Sequence, residues 1–138
     1  MATILLDTSF VVALNNPKDK NHTVARDFFA GQRNVYLLPE VVLTEAAFLL
    51  GKAGGLPASL RFLDRLVAAS AVLQSVTLTD LKRARDIMAA YPNARLDFVD
   101  CCLMALSERL NITQVCTYDR RDFSMFRPKH CDYLELLP

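Results

Sequence analysis

Six acids fall where chemistry could be built. Asp7 ends the apolar run Thr3-Ile4-Leu5-Leu6, and Asp119 lies just past Gln114-Val115-Cys116-Thr117 with Asp122 three residues on. Asp97 and Asp100 are also three apart, and Glu45 sits among Val41, Val42, Ala46, Ala47 and Leu49. Like charges held a few ångströms apart raise one another's pKa and cost stability, and a divalent cation removes that penalty. An all-oxygen ligand set favours Mg²⁺ or Mn²⁺ over zinc. Such an ion activates water and neutralises charge on a phosphodiester. Four of the acids also have a local explanation. Asp97 suits a helix N-cap, Asp100 a first-turn partner of the helix dipole, and Asp119 and Asp122 ordinary turn positions. Those explanations compete one at a time; they do not account for the acids jointly. No Ser-His-Asp set is visible, and with only His22 and His130 a histidine-driven mechanism has little support.

The acids need a frame, and the sequence supplies an alternation of short strands and helices. Strands are expected at Thr3–Leu6, Val35–Leu38, Val72–Val76, Gln114–Thr117 and Tyr133–Leu136. A first helix, capped by Thr8 or Ser9, should run to about Leu14 and break at Asn15-Asn16-Pro17. A second should span His22–Ala30 with Val24, Phe28 and Phe29 inward. Pro39–Ala53 reads as a helix with Gly54-Gly55 past its end, followed by Pro57–Ala69 with Leu60, Leu63, Leu66 and Val67 on one face. Thr79–Tyr91 should bury Leu81, Ala84, Ile87 and Met88 while Lys82, Arg83 and Arg85 point mostly outward, and Asp97–Leu110 closes the set. This is the pattern of an α/β chain, three-layered α/β/α, with a mainly parallel central sheet. Active sites of open parallel sheets form outside the carboxyl ends of the strands, so Asp7 and Asp119 can converge there.

The 138 residues suit one domain, 1–138, with enough apolar content (52% hydrophobic against 22% charged) for a real core. Lys+Arg is 16 against Asp+Glu 15, which excludes a bulk basic field but not a basic patch. No membrane span or secretory signal is expected, because Glu40 and Glu45 cut the most apolar stretch and Asp7 interrupts the first. Cys101, Cys102, Cys116 and Cys131 form no CxxC pair and read as reduced thiols of a cytoplasmic protein, without zinc-site spacing.

The segments around the acids carry a resemblance. Leu5-Leu6-Asp7-Thr8-Ser9-Phe10 resembles the opening motif of the PIN-domain ribonucleases, and Pro39-Glu40-Val41-Val42-Leu43-Thr44-Glu45 is similar to the stretch holding their second acid. Leu96 to Leu106 resembles their third-acid helix, with Cys101 where alanine is common, and Thr117-Tyr118-Asp119-Arg120-Arg121-Asp122-Phe123 resembles the closing motif. Order and spacing fit over essentially the whole chain, and size and motif style are nearest to the VapC-like toxins of toxin–antitoxin pairs. The resemblance implies a metal-dependent endoribonuclease using Mg²⁺ or Mn²⁺, dimeric, and neutralised by a small cognate antitoxin. It implies Asp7, Glu45, Asp100 and Asp119 as the core metal-site acids, with Asp97 and Asp122 as auxiliaries.

For an RNA substrate, Arg120, Arg121 and Arg95 adjoin the acids in sequence and could form a phosphate-binding rim, with Arg127 and Lys129 behind them. Ser9 and Thr8 offer hydroxyls beside Asp7. Phe48, Leu49, Leu50, Leu56, Leu60, Phe62 and Leu63 exceed what one core face needs, so part of that surface is expected to meet a second copy or an antitoxin, the latter in a groove between Val41–Leu50 and Leu60–Val67. A haloacid-dehalogenase phosphatase would want an acid where Ser9 stands, and a receiver domain would want a lysine that Thr117–Asp119 lacks. The remaining alternatives are a housekeeping PIN-type RNA-processing nuclease and a non-catalytic interaction module with a relic acidic site.

Overall fold

A computed structural model describes residues 1–31 and 33–138. The elements follow in the order β1 (Thr3–Leu6), α1 (Thr8–Asn15), α2 (His22–Gly31), β2 (Val35–Pro39), α3 (Glu40–Ala68), β3 (Val72–Gln74), α4 (Leu78–Ala90), α5 (Phe98–Arg109), β4 (Gln114–Cys116), α6 (Arg120–Met125) and β5 (Glu135–Leu137). The five strands form one sheet in the order β3-β2-β1-β4-β5, every neighbouring pair parallel, between layers of helix. Ile4, Leu5 and Leu6 are all buried, as a central strand covered on both faces requires. From β1 the chain builds outward through β2 to β3, then returns to the other side of β1 with β4. The order reverses between β1 and β4, which makes their carboxyl ends the switch point of the sheet.

The long α3 is two helices. Gly55 has φ 68° and ψ −163°, a conformation open essentially to glycine alone, and Pro57 follows it. On length and composition alone the 29-residue span could cross a membrane, but the break at Gly55 leaves no straight 29-residue rod. Val42, Ala46, Leu50 and Phe62 turn into the core. Of the four residues expected on one face, Leu66 packs partly buried against the core, whereas Leu60, Leu63 and Val67 are exposed.

Other expectations need correction. In α2 the buried residue is Ala25; Val24 is exposed, and Phe29 is partly exposed beside Tyr36, with ring centroids 4.7 Å apart. A small side chain at Ala25 lets the helix approach closely, and of the three bulky residues expected inward Phe28 does pack against the core, edge-on to Phe10. In α4, Leu81 and Met88 are exposed while Ala84 and Ile87 are buried. Asp7, not Thr8 or Ser9, is the N-cap residue of α1. Helix α4 begins earlier than expected, because Thr77 and Asp80 form a reciprocal capping box. Arg83 does not simply face water: it grips both oxygens of Glu108 at 2.6 and 3.0 Å. Arg109 holds Asp80 in the same two-pronged way at 2.8 and 3.0 Å, so two ion pairs join α4 to α5. Helix α6 occupies what the sequence suggested was a turn. All four cysteines are free thiols, three of them buried.

Candidate active site

The carboxyl ends of β1 and β4 are tied together beyond their ladder, where the Asp7 amide donates to the Cys116 carbonyl at 3.0 Å. This sets Asp7 beside Thr117, which is fully buried. Oδ2 of Asp7 accepts from the Thr117 hydroxyl at 2.7 Å and from the Ser9 hydroxyl at 2.9 Å. Each of those oxygens in turn accepts from the backbone of the next loop: Thr117 Oγ1 from the Asp119 amide at 2.9 Å, Ser9 Oγ from the Tyr118 amide at 2.9 Å. A hydroxyl has one proton to give. Both are committed to Asp7, so the 3.3 Å approach of Ser9 to Thr117 is a side-by-side contact. Tyr118 stacks on Phe10 with ring planes 19° apart, which further anchors this loop.

The third acid arrives on a helix end. Asp97 caps α5 by accepting the Asp100 amide at 2.8 Å, the role its sequence position allowed. Asp100 is 4% exposed, and its Oδ2 is buried with no hydrogen-bond partner among the described residues. Asp100, Asp119 and Asp122 each place a carboxylate oxygen within 4.8 Å of the other two. Burial is the largest influence on Asp100, followed by the charges of Asp7, Asp97 and Asp119; together they push its pKa up to about 9. Burial also raises Asp7, and Asp119 adds to it, against the Thr117, Ser9 and Thr8 amide hydrogen bonds. Asp122 is raised by burial and then by Asp119, with Arg121 opposing.

A divalent ion fits this set. The donors are all oxygen, their mutual repulsion raises Asp7, Asp100 and Asp122 alike, and one buried carboxylate oxygen has no partner among the described residues.

Among the other expected residues, Glu45 is not one of the carboxylates gathered within 4.8 Å of one another. Glu45 is half-buried on α3 and makes no hydrogen bond or ion pair among the described residues. Arg95 and Arg121 are exposed. Arg120 is also exposed, but its guanidinium donates to the carbonyl of Pro138. Arg127 donates back to the Ser124 carbonyl at 2.6 Å. Thr117, expected only as the last residue of a strand, is a further member of this site. A hydroxyl residue two places before Asp119, at the end of a buried strand, was the available signal.

Parallel strands with carboxylates gathered at the switch point define an α/β domain with a candidate metal centre. The PIN domain family model matches residues 4–127, and the chain belongs to that family. It is 23% identical over 125 residues to the ribonuclease VapC26 of Mycobacterium tuberculosis, covering 91% of this chain and 93% of the relative. Among solved structures it superimposes on VapC20 of Mycobacterium tuberculosis, described as a toxin cleaving the sarcin-ricin loop, with a TM-score of 0.83, 24% identity and coverage of 98% and 99% of the two chains. A VapBC2 complex from Rickettsia felis bound to a fragment of its promoter DNA matches with a TM-score of 0.70 at 14% identity, covering 97% of this chain and 96% of that one.

Proposed function

We propose that this chain is a metal-dependent endoribonuclease acting as the toxin of a toxin–antitoxin pair. The observation that carries the reading is the gathering of Asp100, Asp119 and Asp122 beside Asp7 at the β1/β4 switch point, with Asp100 Oδ2 buried and unpartnered. Membership of the PIN family and likeness to VapC ribonucleases support it.

In this reading Asp7, Asp100 and Asp119 hold Mg²⁺ or Mn²⁺, with Asp122 and Asp97 beside them and Glu45 completing the set from α3. When bound, the ion supplies the charge that lowers the pKa of an attacking water and offsets negative charge building on the phosphorus centre. The chain's own groups prepare that site. Asp97 caps α5 and so fixes the first turn on which Asp100 stands. Arg95 and Arg121 draw the RNA backbone toward an otherwise acidic centre. Arg120 contributes less, since its guanidinium is engaged at the C-terminal residue. The Ser9 hydroxyl donates to Asp7 Oδ2 and orients that carboxylate.

The partners are a cognate antitoxin and a second copy of the chain, acting in the cytoplasm. The groove between Val41–Leu50 and Leu60–Val67 is the proposed seat of the antitoxin, and a second candidate surface is distinct from it. An open, mostly apolar cleft of about 1080 Å³ lies between α1, α2, β2, β3 and the second half of α3, and no residue of 41–50 lines it.

The test is purified protein with RNA and Mg²⁺ or Mn²⁺, EDTA as control, and the Asp7→Asn variant alongside. Cleavage that needs the ion and Asp7 supports the proposal; cleavage indifferent to both overturns it. Expression of the wild-type chain alone in a bacterial host should arrest growth, and harmless soluble expression would favour a housekeeping nuclease.

A further inference from the structure

We infer that Thr117 is a positioning residue that fixes the two strand-end carboxylates, Asp7 and Asp119, relative to one another through a single hydroxyl. The inference rests on the metal-centre reading above and assigns a role to a residue outside the acidic set. Thr117 is fully buried at the end of β4, so it touches neither solvent nor substrate. Its Oγ1 donates to Asp7 Oδ2 at 2.7 Å and accepts from the Asp119 amide at 2.9 Å. One atom thus joins the end of β1 to the backbone that carries Asp119.

The directions of these bonds are fixed by chemistry. A backbone amide can only donate, so the lone pair of Oγ1 faces Asp119. The single proton must then go to Asp7, whose ionised carboxylate only accepts. Ser9 repeats the arrangement from the other side, donating to the same oxygen and accepting from Tyr118. Both donors fall on Oδ2 and neither on Oδ1, which holds the carboxylate plane in one orientation. A loop that carries one acid is thereby registered to the strand that delivers the other. Partners standing behind metal ligands in this way typically alter metal affinity or activity about 10–100-fold when removed.

The side chain's shape adds a discriminating test. Valine has nearly threonine's volume but can neither donate to Asp7 nor accept from Asp119. Serine keeps the hydroxyl and loses only the methyl group. Wild type, Thr117→Val and Thr117→Ser should be compared for Mn²⁺ affinity by electron paramagnetic resonance, for RNA cleavage (kcat and KM separately), and for folded fraction by circular dichroism. Thr117→Val is expected to bind Mn²⁺ at least 10-fold more weakly and to lose kcat by a similar factor with KM for RNA unchanged. Thr117→Ser is expected to stay within a few-fold of wild type in both. The inference is overturned if Thr117→Val matches wild type in Mn²⁺ affinity, if its defect is no larger than its loss of folded protein, or if serine fails to rescue. Wild-type protein that binds no Mn²⁺ overturns it as well. Wild-type protein that binds Mn²⁺ but cuts no RNA would defeat the nuclease reading, while the ratio of affinities between variants still decides this one.

Discussion

Asp97 accepts the backbone amide of Asp100 at 2.8 Å, so one acid orders the helix turn on which the next is buried. The helix end gains a cap, and Asp100 is buried where the charges of Asp7 and Asp119 reach it, with one oxygen unpartnered among the described residues. In the protein without metal this is a local cost. It persists in the fold because other contacts, chiefly the α4–α5 ion pairs and the apolar core, offset it.

Asp100→Asn should therefore abolish RNA cleavage while stabilising the metal-free protein. The amide keeps the shape of the side chain and removes the charge that burial and three acids oppose. A gain of about 1–3 kcal/mol near pH 8 is expected, taking one pKa unit as about 1.4 kcal/mol and allowing for relaxation around the charge. Thermal unfolding in EDTA and a cleavage assay in Mn²⁺ read the two effects separately. A variant less stable than wild type in EDTA would show that the Asp100 charge is satisfied within the protein.

The same group sets a pH dependence. The folded pKa of Asp100 lies at about 9, above the ordinary 3.8 of the unfolded chain, so the native state holds a proton that the unfolded state releases. Its contribution to stability is fully present below about pH 4 and is lost progressively as pH rises through about 9. Asp7, also raised, acts in the same direction. Asp80 and Glu108 run the other way: for both, burial is outweighed by their arginine and backbone partners, so their contributions disappear on acidification. Comparing wild type with Asp100→Asn cancels those terms. The difference in Tm between the two, measured in EDTA, should be near zero at pH 4 and widen steadily to pH 9. A difference that stays flat over this range would contradict the raised pKa.

Arg109→Ala should destabilise the fold by about 2–4 kcal/mol, because it leaves a buried carboxylate without its counter-ion. The Asp80 side chain is only 2% exposed and relies on Arg109 as well as the Thr77 capping box. Arg85→Ala is the control, since its ion pair with Asp86 is at the surface, with the arginine side chain 78% exposed. Urea unfolding should separate the two variants clearly. Equal midpoints would mean that the α4–α5 clamp is no stronger than a surface pair.

Much of this arrangement was readable from local pattern. Ile4-Leu5-Leu6 is apolar at every position because the strand is covered on both faces, and the Gly54-Gly55 pair marks a true break in α3. Asp7 and Asp119 were placed correctly at strand ends, since a parallel sheet delivers such residues to one edge. What failed depends on distant partners. Helix α6 follows a polar stretch whose helicity comes from burying Phe123. Arg83 looked like a solvated residue until α5 supplied Glu108, 25 positions away. Thr117 looked like a strand residue, and only the return of β4 beside β1 sets its hydroxyl against Asp7. The exposure of Leu60, Leu63 and Val67 was also beyond periodicity, which finds a shared face but not its direction.

That exposed face yields the last prediction. Phe48, Leu56, Leu60, Leu63 and Val67 are each half or more exposed, and all stand on α3, on either side of the Gly55 break. Scattered exposed apolar residues are normal, but a concentration on one element marks a contact surface. The double substitution Leu60→Glu and Val67→Glu places two charges on it without disturbing Phe62, which is 1% exposed and packs inward from the same helix. If this face joins two copies, light scattering should show wild type as a dimer and the variant as a monomer, with Tm changed by only a few degrees. Cleavage per chain should fall little, because Leu60 and Val67 lie past the Gly55 break, whereas Glu45 stands in the first half of α3 and the other acids at the β1/β4 switch point. A variant that remains dimeric would place the subunit contact elsewhere, with the α4 face carrying Leu78, Leu81 and Met88 beside Phe98 the next surface to charge.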